Sequence, residues 1–205
     1  MKNTIVFFGD SITDSSKTDF PPLGVGYVSM VAEDLENDGE HKEIAVINSG
    51  VNGNSIPDLR YRYKNDVVAH HPQTLLIKIG INDAYNDVCG GTTTENLQDF
   101  KKGYLKLIED IFRDLPNIRI LLITPYFITD STSAPLYVRM CEYGDIVKQL
   151  ALSFNLPVFD SQKIFDSAVK EMPAKSWAED QIHPGPDGHR RLADGIFTFL
   201  KENLS

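Results

Sequence analysis

The chain has 205 residues, enough for one domain that buries a real core without disulfides or a structural metal. Its formal charge is −9, with 20 lysines and arginines scattered among 29 acids, which argues against the basic stripe that nucleic acid requires. The two cysteines, Cys89 and Cys141, stand in no C-x-x-C spacing and read as free thiols of a reducing compartment. The apolar run before Gly9 is too short for a signal-peptide core and no other stretch would span a bilayer, so the expectation is a cytoplasmic protein with no membrane partner.

Taken in chain order, residues 4–8, 44–47, 74–79, 118–123 and 157–159 are apolar runs of strand length followed by polar punctuation, and each is predicted as a buried strand. Helical spacing fills the intervals. A helix from Tyr27 to about Asn37 closes at Asp38-Gly39, and Ser55 with Pro57 opens another that runs toward His70-His71-Pro72, where proline stops it. Thr92-x-x-Glu95 is a capping box before a long amphipathic stretch ending at Leu115-Pro116, whose apolar face carries Phe100, Leu105, Ile108 and Phe112. Residues 137–154 and 162–171 continue the alternation. Asp187, after Pro184-Gly185-Pro186, is expected as the N-cap of a final helix through Leu192, Ile196, Phe197 and Leu200. No linker or repeat interrupts this, so residues 1–205 read as one domain.

Strands alternating with helices, the strands nearly continuous in apolar residues, predict an α/β fold: an open parallel sheet covered on both faces. Such sheets bind ligands beyond the carboxyl ends of their strands. Ser11 follows the first strand, Gly53 comes shortly after the second and Asn82 shortly after the third, while Asp180 and His183 lie between the last strand and the last helix. These positions converge on one crevice. A serine hydroxyl attacks only when an imidazole takes its proton, and the imidazole needs a carboxylate to fix its tautomer, which Asp180 can do for His183. The backbone amides of Ser11 and Gly53 with the Asn82 carboxamide would meet the oxyanion that forms.

Each residue also has a plainer meaning. Asp10, Ser11 and Thr13 taken alone cap a turn, and Asn82-Asp83 is a common turn pair. Asp180 and His183 read alone as a solvated loop or, with Asp187 and His189, as a metal cluster, against which Asp187 is better explained as a cap and His189 is expected to point along the final helix. Gly24-x-Gly26-Tyr27 lacks the third glycine and the preceding strand of a dinucleotide fingerprint, and neither a phosphate loop nor a Gly-x-Ser-x-Gly elbow occurs. Arg62 and Tyr63, in Arg60-Tyr61-Arg62-Tyr63, are candidates for contact with substrate. Trp177, three residues before Asp180, is a candidate platform for the apolar face of a sugar.

Gly9-Asp10-Ser11-Ile12-Thr13, Gly53 within Gly50-Val51-Asn52-Gly53-Asn54-Ser55, Gly80-x-Asn82-Asp83 and Asp180-x-x-His183 together resemble the four blocks of the SGNH/GDSL hydrolases, in order and spacing. The resemblance implies a flavodoxin-like three-layer α/β/α sandwich with a five-stranded parallel sheet. It also implies a Ser11 nucleophile, a His183 base, an Asp180 orienting acid, and oxyanion donors from Ser11, Gly53 and Asn82. No metal or organic cofactor is implied. Within that superfamily Leu23-Gly24-x-Gly26-Tyr27-Val28, Thr124-Pro125-Tyr126-Phe127-Ile128 and Tyr143-Gly144-x-x-Val147-Lys148-Gln149 are similar to intracellular acetylxylan esterases and related carbohydrate deacetylases. Asp58-Leu59-x-x-Arg62 followed by an aromatic, Tyr63 where tryptophan is usual, and a tryptophan ahead of the Asp-x-x-His segment point the same way. The expected function is therefore a serine esterase removing short acyl groups, acetyl foremost, from a small-molecule or oligosaccharide ester. Related enzymes often assemble, so a homo-oligomer is expected. A lysophospholipase or thioesterase of the same superfamily is the enzymatic alternative, and a catalytically silent glycan-binding domain the non-enzymatic one.

Overall fold

The computed structural model describes residues 3–90 and 96–204. In chain order the elements are β1 (Thr4–Gly9), α1 (Ser11–Asp14), α2 (Tyr27–Asn37), β2 (Ala45–Gly50), α3 (Ile56–Asp66), a 3-10 turn (Val68–His70), β3 (Thr74–Lys78) and α4 (Ile81–Cys89). They continue as α5 (Leu97–Asp114), β4 (Arg119–Ile123), α6 (Pro135–Phe154), β5 (Val158–Phe159), α7 (Ser161–Ala168), α8 (Ala174–Trp177) and α9 (Pro186–Leu204).

The five strands form one parallel sheet in the order β2-β1-β3-β4-β5. Because the chain turns from β1 to one side and then to the other, the ends of β1 and β3 border the switch point where open α/β sheets hold ligands. The register brings that edge level: Gly9 lies opposite Gly50 and Lys78, and Lys78 opposite Ile123. The loops that follow emerge side by side.

Side chains alternate along a strand, so neighbouring residues report on opposite faces. Phe7 meets Tyr27 of α2 edge-on at 5.8 Å, while the Phe8 ring lies 4.5 Å from the guanidinium carbon of Arg62 on α3. Helices α2 and α3 thus cover different faces. Helix α9 packs beside α2 on one, and α5 beside α3 on the other, which completes the expected three layers. Ile5, Val6, Phe7 and Phe8 are wholly buried between them, each such side chain contributing about 1.5–3 kcal/mol of transfer free energy.

The element boundaries depart from the sequence reading in a few places. Helix α3 ends at Asp66 because the backbone at Val67 leaves helical geometry and enters the 3-10 turn, four residues before His71 adopts a left-handed conformation. Thr92 and Glu95 lie outside the described residues. The cap seen for α5 is Asn96, whose Oδ1 accepts from the amides of Gln98 and Asp99 at 2.8 and 3.3 Å. Its buried stripe is Phe100, Tyr104, Leu107, Ile108 and Ile111, leaving Leu105 exposed. Asp187 is not the N-cap of α9. Pro186 is already helical, as proline at a first helical position forfeits no hydrogen bond, and Asp187 sits in the first turn facing the positive end of the helix dipole.

Candidate active site

Ser11 is placed by a one-turn helix that the sequence reading did not anticipate. Asp10 follows β1, and its Oδ1 accepts from the Ile12 amide at 3.0 Å as an N-cap, so Ser11 becomes the first residue of α1. An amide at that position has no partner within its own helix. Gly9 and Gly50 let α1 lie against the strand ends, since a methyl group on Gly50 would overlap the backbone of Thr13 and Asp14. Asn48 fastens the same segment, its Nδ2 donating to the carbonyls of Thr13 and Leu23 at 2.7 Å each.

Ser11 Oγ and His183 Nε2 are 2.8 Å apart, and His183 Nδ1 is 2.6 Å from Asp180 Oδ2. Asp180 Oδ1 accepts in addition from the amides of Ile182 and His183 at 2.9 and 2.8 Å, so one carboxylate builds the turn and orients the ring. Burial pushes the Asp180 carboxyl upward, but the imidazole and the two amides outweigh it and hold the group below the ordinary carboxylate value. It stays ionised at neutral pH.

Two other loops complete the cleft. Gly53 sits at φ 75°, in the left-handed region that glycine enters without strain, on the exposed turn after β2. Asn82, in the first turn of α4, donates through Nδ2 to the Asn54 carbonyl at 2.8 Å and keeps its second amide hydrogen for another acceptor. Ser11, Gly53, Asn82 and His183 all line one cleft of about 660 Å³, together with Ser15, Val25, Pro184, Pro186 and His189. The arrangement has the parts for acyl transfer: a hydroxyl on an imidazole, the imidazole on a carboxylate, and three candidate donors opposite.

The profile of the GDSL-like lipase/acylhydrolase family matches residues 7–191. The chain belongs to that family. The acetylxylan esterase of Geobacillus stearothermophilus is 34% identical over 210 residues, spanning 97% of this chain and 92% of that protein. The crystal structure of Axe2, an acetylxylan esterase from the same organism, superposes with a TM-score of 0.89 at 31% identity, covering 98% of this chain and 96% of its own. The uncharacterized lipoprotein YqeF of Bacillus subtilis is 29% identical over 219 residues, 94% of this chain and 87% of YqeF. As a GDSL family member the chain is an α/β carboxylic ester hydrolase.

Three expected substrate contacts lie elsewhere in this GDSL hydrolase. Trp177 is only 5% exposed and does not border the cleft; its indole N–H is taken by the carbonyls of Ala168 and Met172 at 3.1 and 3.2 Å, which turns the ring into the core. Tyr63 is buried as well, its hydroxyl donating to Asp114 at 2.9 Å on the far side of α3. Arg62 is a positioning residue. Its Nε donates to Asn54 Oδ1 at 2.6 Å, and its terminal nitrogens to the carbonyls of Ser49 and Gly9 at 2.9 and 2.8 Å. One guanidinium therefore ties the Gly53 turn to the strand that delivers Ser11.

The sequence reading missed His189, which it directed along the last helix. The side chain is buried beside the cleft, with Nδ1 accepting from the Tyr27 amide at 3.2 Å and Nε2 lying 3.4 Å from Ser15 Oγ. Both rings of the supposed metal cluster thus spend both nitrogens on protein partners. A Gly-His pair at the start of the final helix, six residues beyond His183, was the available signal.

Proposed function

We propose that this chain removes acetyl groups from carbohydrate hydroxyls through an acyl-enzyme intermediate. The observation that carries the mechanism is the unbroken hydrogen-bonded line from Ser11 Oγ through His183 to Asp180 at the carboxyl edge of the sheet. His183 Nε2 takes the Ser11 proton as Oγ attacks the ester carbon, and the oxyanion is met by the amides of Ser11 and Gly53 and the free Asn82 hydrogen. Collapse expels the alkoxide, to which His183 returns the proton. Water activated by the same imidazole then attacks the acyl-Ser11 carbonyl, releasing acetate and restoring the serine. Likeness to acetylxylan esterases supports acetyl and carbohydrate as the acyl and alcohol halves.

We further propose a cytoplasmic setting, supported by Cys89 and Cys141, both free thiols. Among the described residues no helix is long and apolar enough to cross a membrane.

Acetate release from a panel of acetylated oligosaccharides tests the reading, with aryl acetate and aryl octanoate as references. Acetylated sugars and aryl acetate should be turned over, the octanoate poorly, and Ser11→Ala should abolish all of it. An organophosphonate should label Ser11. Preference for octanoyl esters would promote the lysophospholipase or thioesterase alternative, and an adduct on another serine would overturn the nucleophile.

A further inference from the structure

We infer that Ser15 and His189 form the leaving-group subsite, in which the Ser15 hydroxyl donates a hydrogen bond to a neutral oxygen of the carbohydrate. The inference rests on the deacetylase reading and adds to it where the sugar lies and what holds it. His183 must hand its proton to the departing oxygen, so the alcohol half occupies the His183 wall of the cleft. That wall is Pro184, Pro186 and His189, which follow His183 in sequence, with Ser15 against His189 and Val25 lining the same cleft.

The direction of the hydrogen bonds at this corner is fixed by chemistry. The Tyr27 amide can only donate, so His189 Nδ1, 3.2 Å away, must present a lone pair. Burial, and after it the nearby Lys78 and His183 charges, lower the His189 pKa to about 4, so the ring is neutral at working pH and its single proton is on Nε2. Nε2 therefore donates across the 3.4 Å to Ser15 Oγ. The serine oxygen is the acceptor there, which leaves its own hydrogen as a donor for the cleft.

The corner is built tightly. Ser15 stands at φ 43° and Ser16 at φ 62°, a left-handed pair without glycine, of the kind that persists only where surrounding structure enforces it. The enforcement is visible: the Ser15 amide donates to the Ser11 carbonyl and its carbonyl accepts from Val25, both at 2.9 Å. A methyl on Gly26 would overlap Ser15 Oγ and come within 2.8 Å of His189 Cε1. The imidazole in turn stacks on Tyr27 at 6.5 Å and 19°. With the half-exposed Val25 and the two prolines supplying apolar surface, the subsite offers one neutral donor and a hydrocarbon wall. A sugar ring, with hydroxyl and ether oxygens on a C–H face, matches that chemistry; a charged leaving group does not.

Steady-state kinetics of Ser15→Ala and Ser15→Gly on acetylated xylooligosaccharides and on p-nitrophenyl acetate test this. Both variants should raise KM for the oligosaccharide about 3- to 10-fold more than for the aryl ester, the loss of one neutral hydrogen bond, with kcat held within about 2-fold. Glycine relaxes the left-handed backbone and alanine does not, so an effect common to both reports the hydroxyl. Gly26→Ala, which crowds the same corner, should act in the same direction. Equal losses on the two substrates, or no KM change in an otherwise active enzyme, would overturn the subsite alone. A wild-type enzyme that cleaves the aryl acetate and no acetylated sugar would overturn the deacetylase reading and this inference with it.

Discussion

The Lys78 ammonium stands 4.0 Å from Asp10 Oδ1, both side chains sealed from solvent beneath the Ser11 segment. Among the described residues Lys78 Nζ has no hydrogen-bond partner, and it lies 4.6 Å from the centre of the Tyr126 ring. Burial lowers its pKa, with Asp10 opposing the shift. Asp10 in turn caps α1, so the pair connects a charge balance in the sheet to the placement of the nucleophile.

Removing one member of such a pair leaves the other buried and uncompensated. Lys78→Met should therefore cost about 3–5 kcal/mol of stability, whereas Lys78→Met combined with Asp10→Asn, which removes both charges, should recover more than half of it. Urea denaturation of the two variants beside the wild type measures this. A single-variant loss under about 1 kcal/mol would mean that Lys78 does not balance Asp10.

Asn82 has two amide hydrogens: one holds the Asn54 carbonyl, and the other is the one we propose for the oxyanion. Asn82→Ala should lower kcat by about 10²–10³-fold with KM little altered, as for loss of one oxyanion donor. Steady-state kinetics on an aryl acetate, with circular dichroism to confirm the fold, checks this. An unchanged kcat would reduce Asn82 to a tie between α4 and the Gly53 turn.

Trp177 belongs to stability. With its ring in the core and its N–H on two carbonyls, Trp177→Ala should cost about 3–5 kcal/mol and lower acetyl esterase activity on oligosaccharide and aryl substrates alike. Thermal melts and the ratio of the two kcat/KM values give the answer. A selective loss on the oligosaccharide in a stable variant would restore the sugar-platform role.

Periodicity carried the fold because the strands are short, apolar and punctuated: the predicted helix from Tyr27 to about Asn37 is the observed α2, and all five strands lie within a few residues of their expected places. That Ser11, Gly53, Asn82 and His183 would share one cleft was legible for a related reason, since the first three follow strands whose ends are level and His183 stands three residues from Asp180. What was illegible depends on contacts across the chain. Lys78 was hidden in an apolar run, and only the register opposite Gly9 puts it under Asp10. Arg62 looked like a substrate contact because nothing local shows that Gly9, Ser49 and Asn54 surround it. Trp177 and His189 were misplaced for the same reason: the carbonyls of Ala168 and Met172 hold the indole inward, and a partner amide 162 residues away draws the histidine to the cleft.

His189 makes acid stability a quantitative test. Its folded pKa of about 4 lies below the ordinary value of 6.5, so between those limits the unfolded chain binds a proton that the native state refuses. The stabilisation is complete above pH 6.5, declines as pH falls through the window, and is fully lost below about pH 4. At 1.36 kcal/mol per pKa unit, the whole gap amounts to about 3 kcal/mol, and a side chain only 7% exposed needs little discount for solvent screening. His189→Gln keeps a polar side chain at the Tyr27 amide without a titrating ring. The variant should be less stable than the wild type at pH 7.5, and the wild-type advantage should shrink by roughly 2–3 kcal/mol when both are unfolded in urea at pH 4.5. Other titrating groups act on both proteins and cancel in the difference. A gap that stays constant between the two pH values would mean that His189 accepts a proton as readily in the native cleft as in the unfolded chain, and that the neutral Nε2–H donor assigned to it is not fixed by burial.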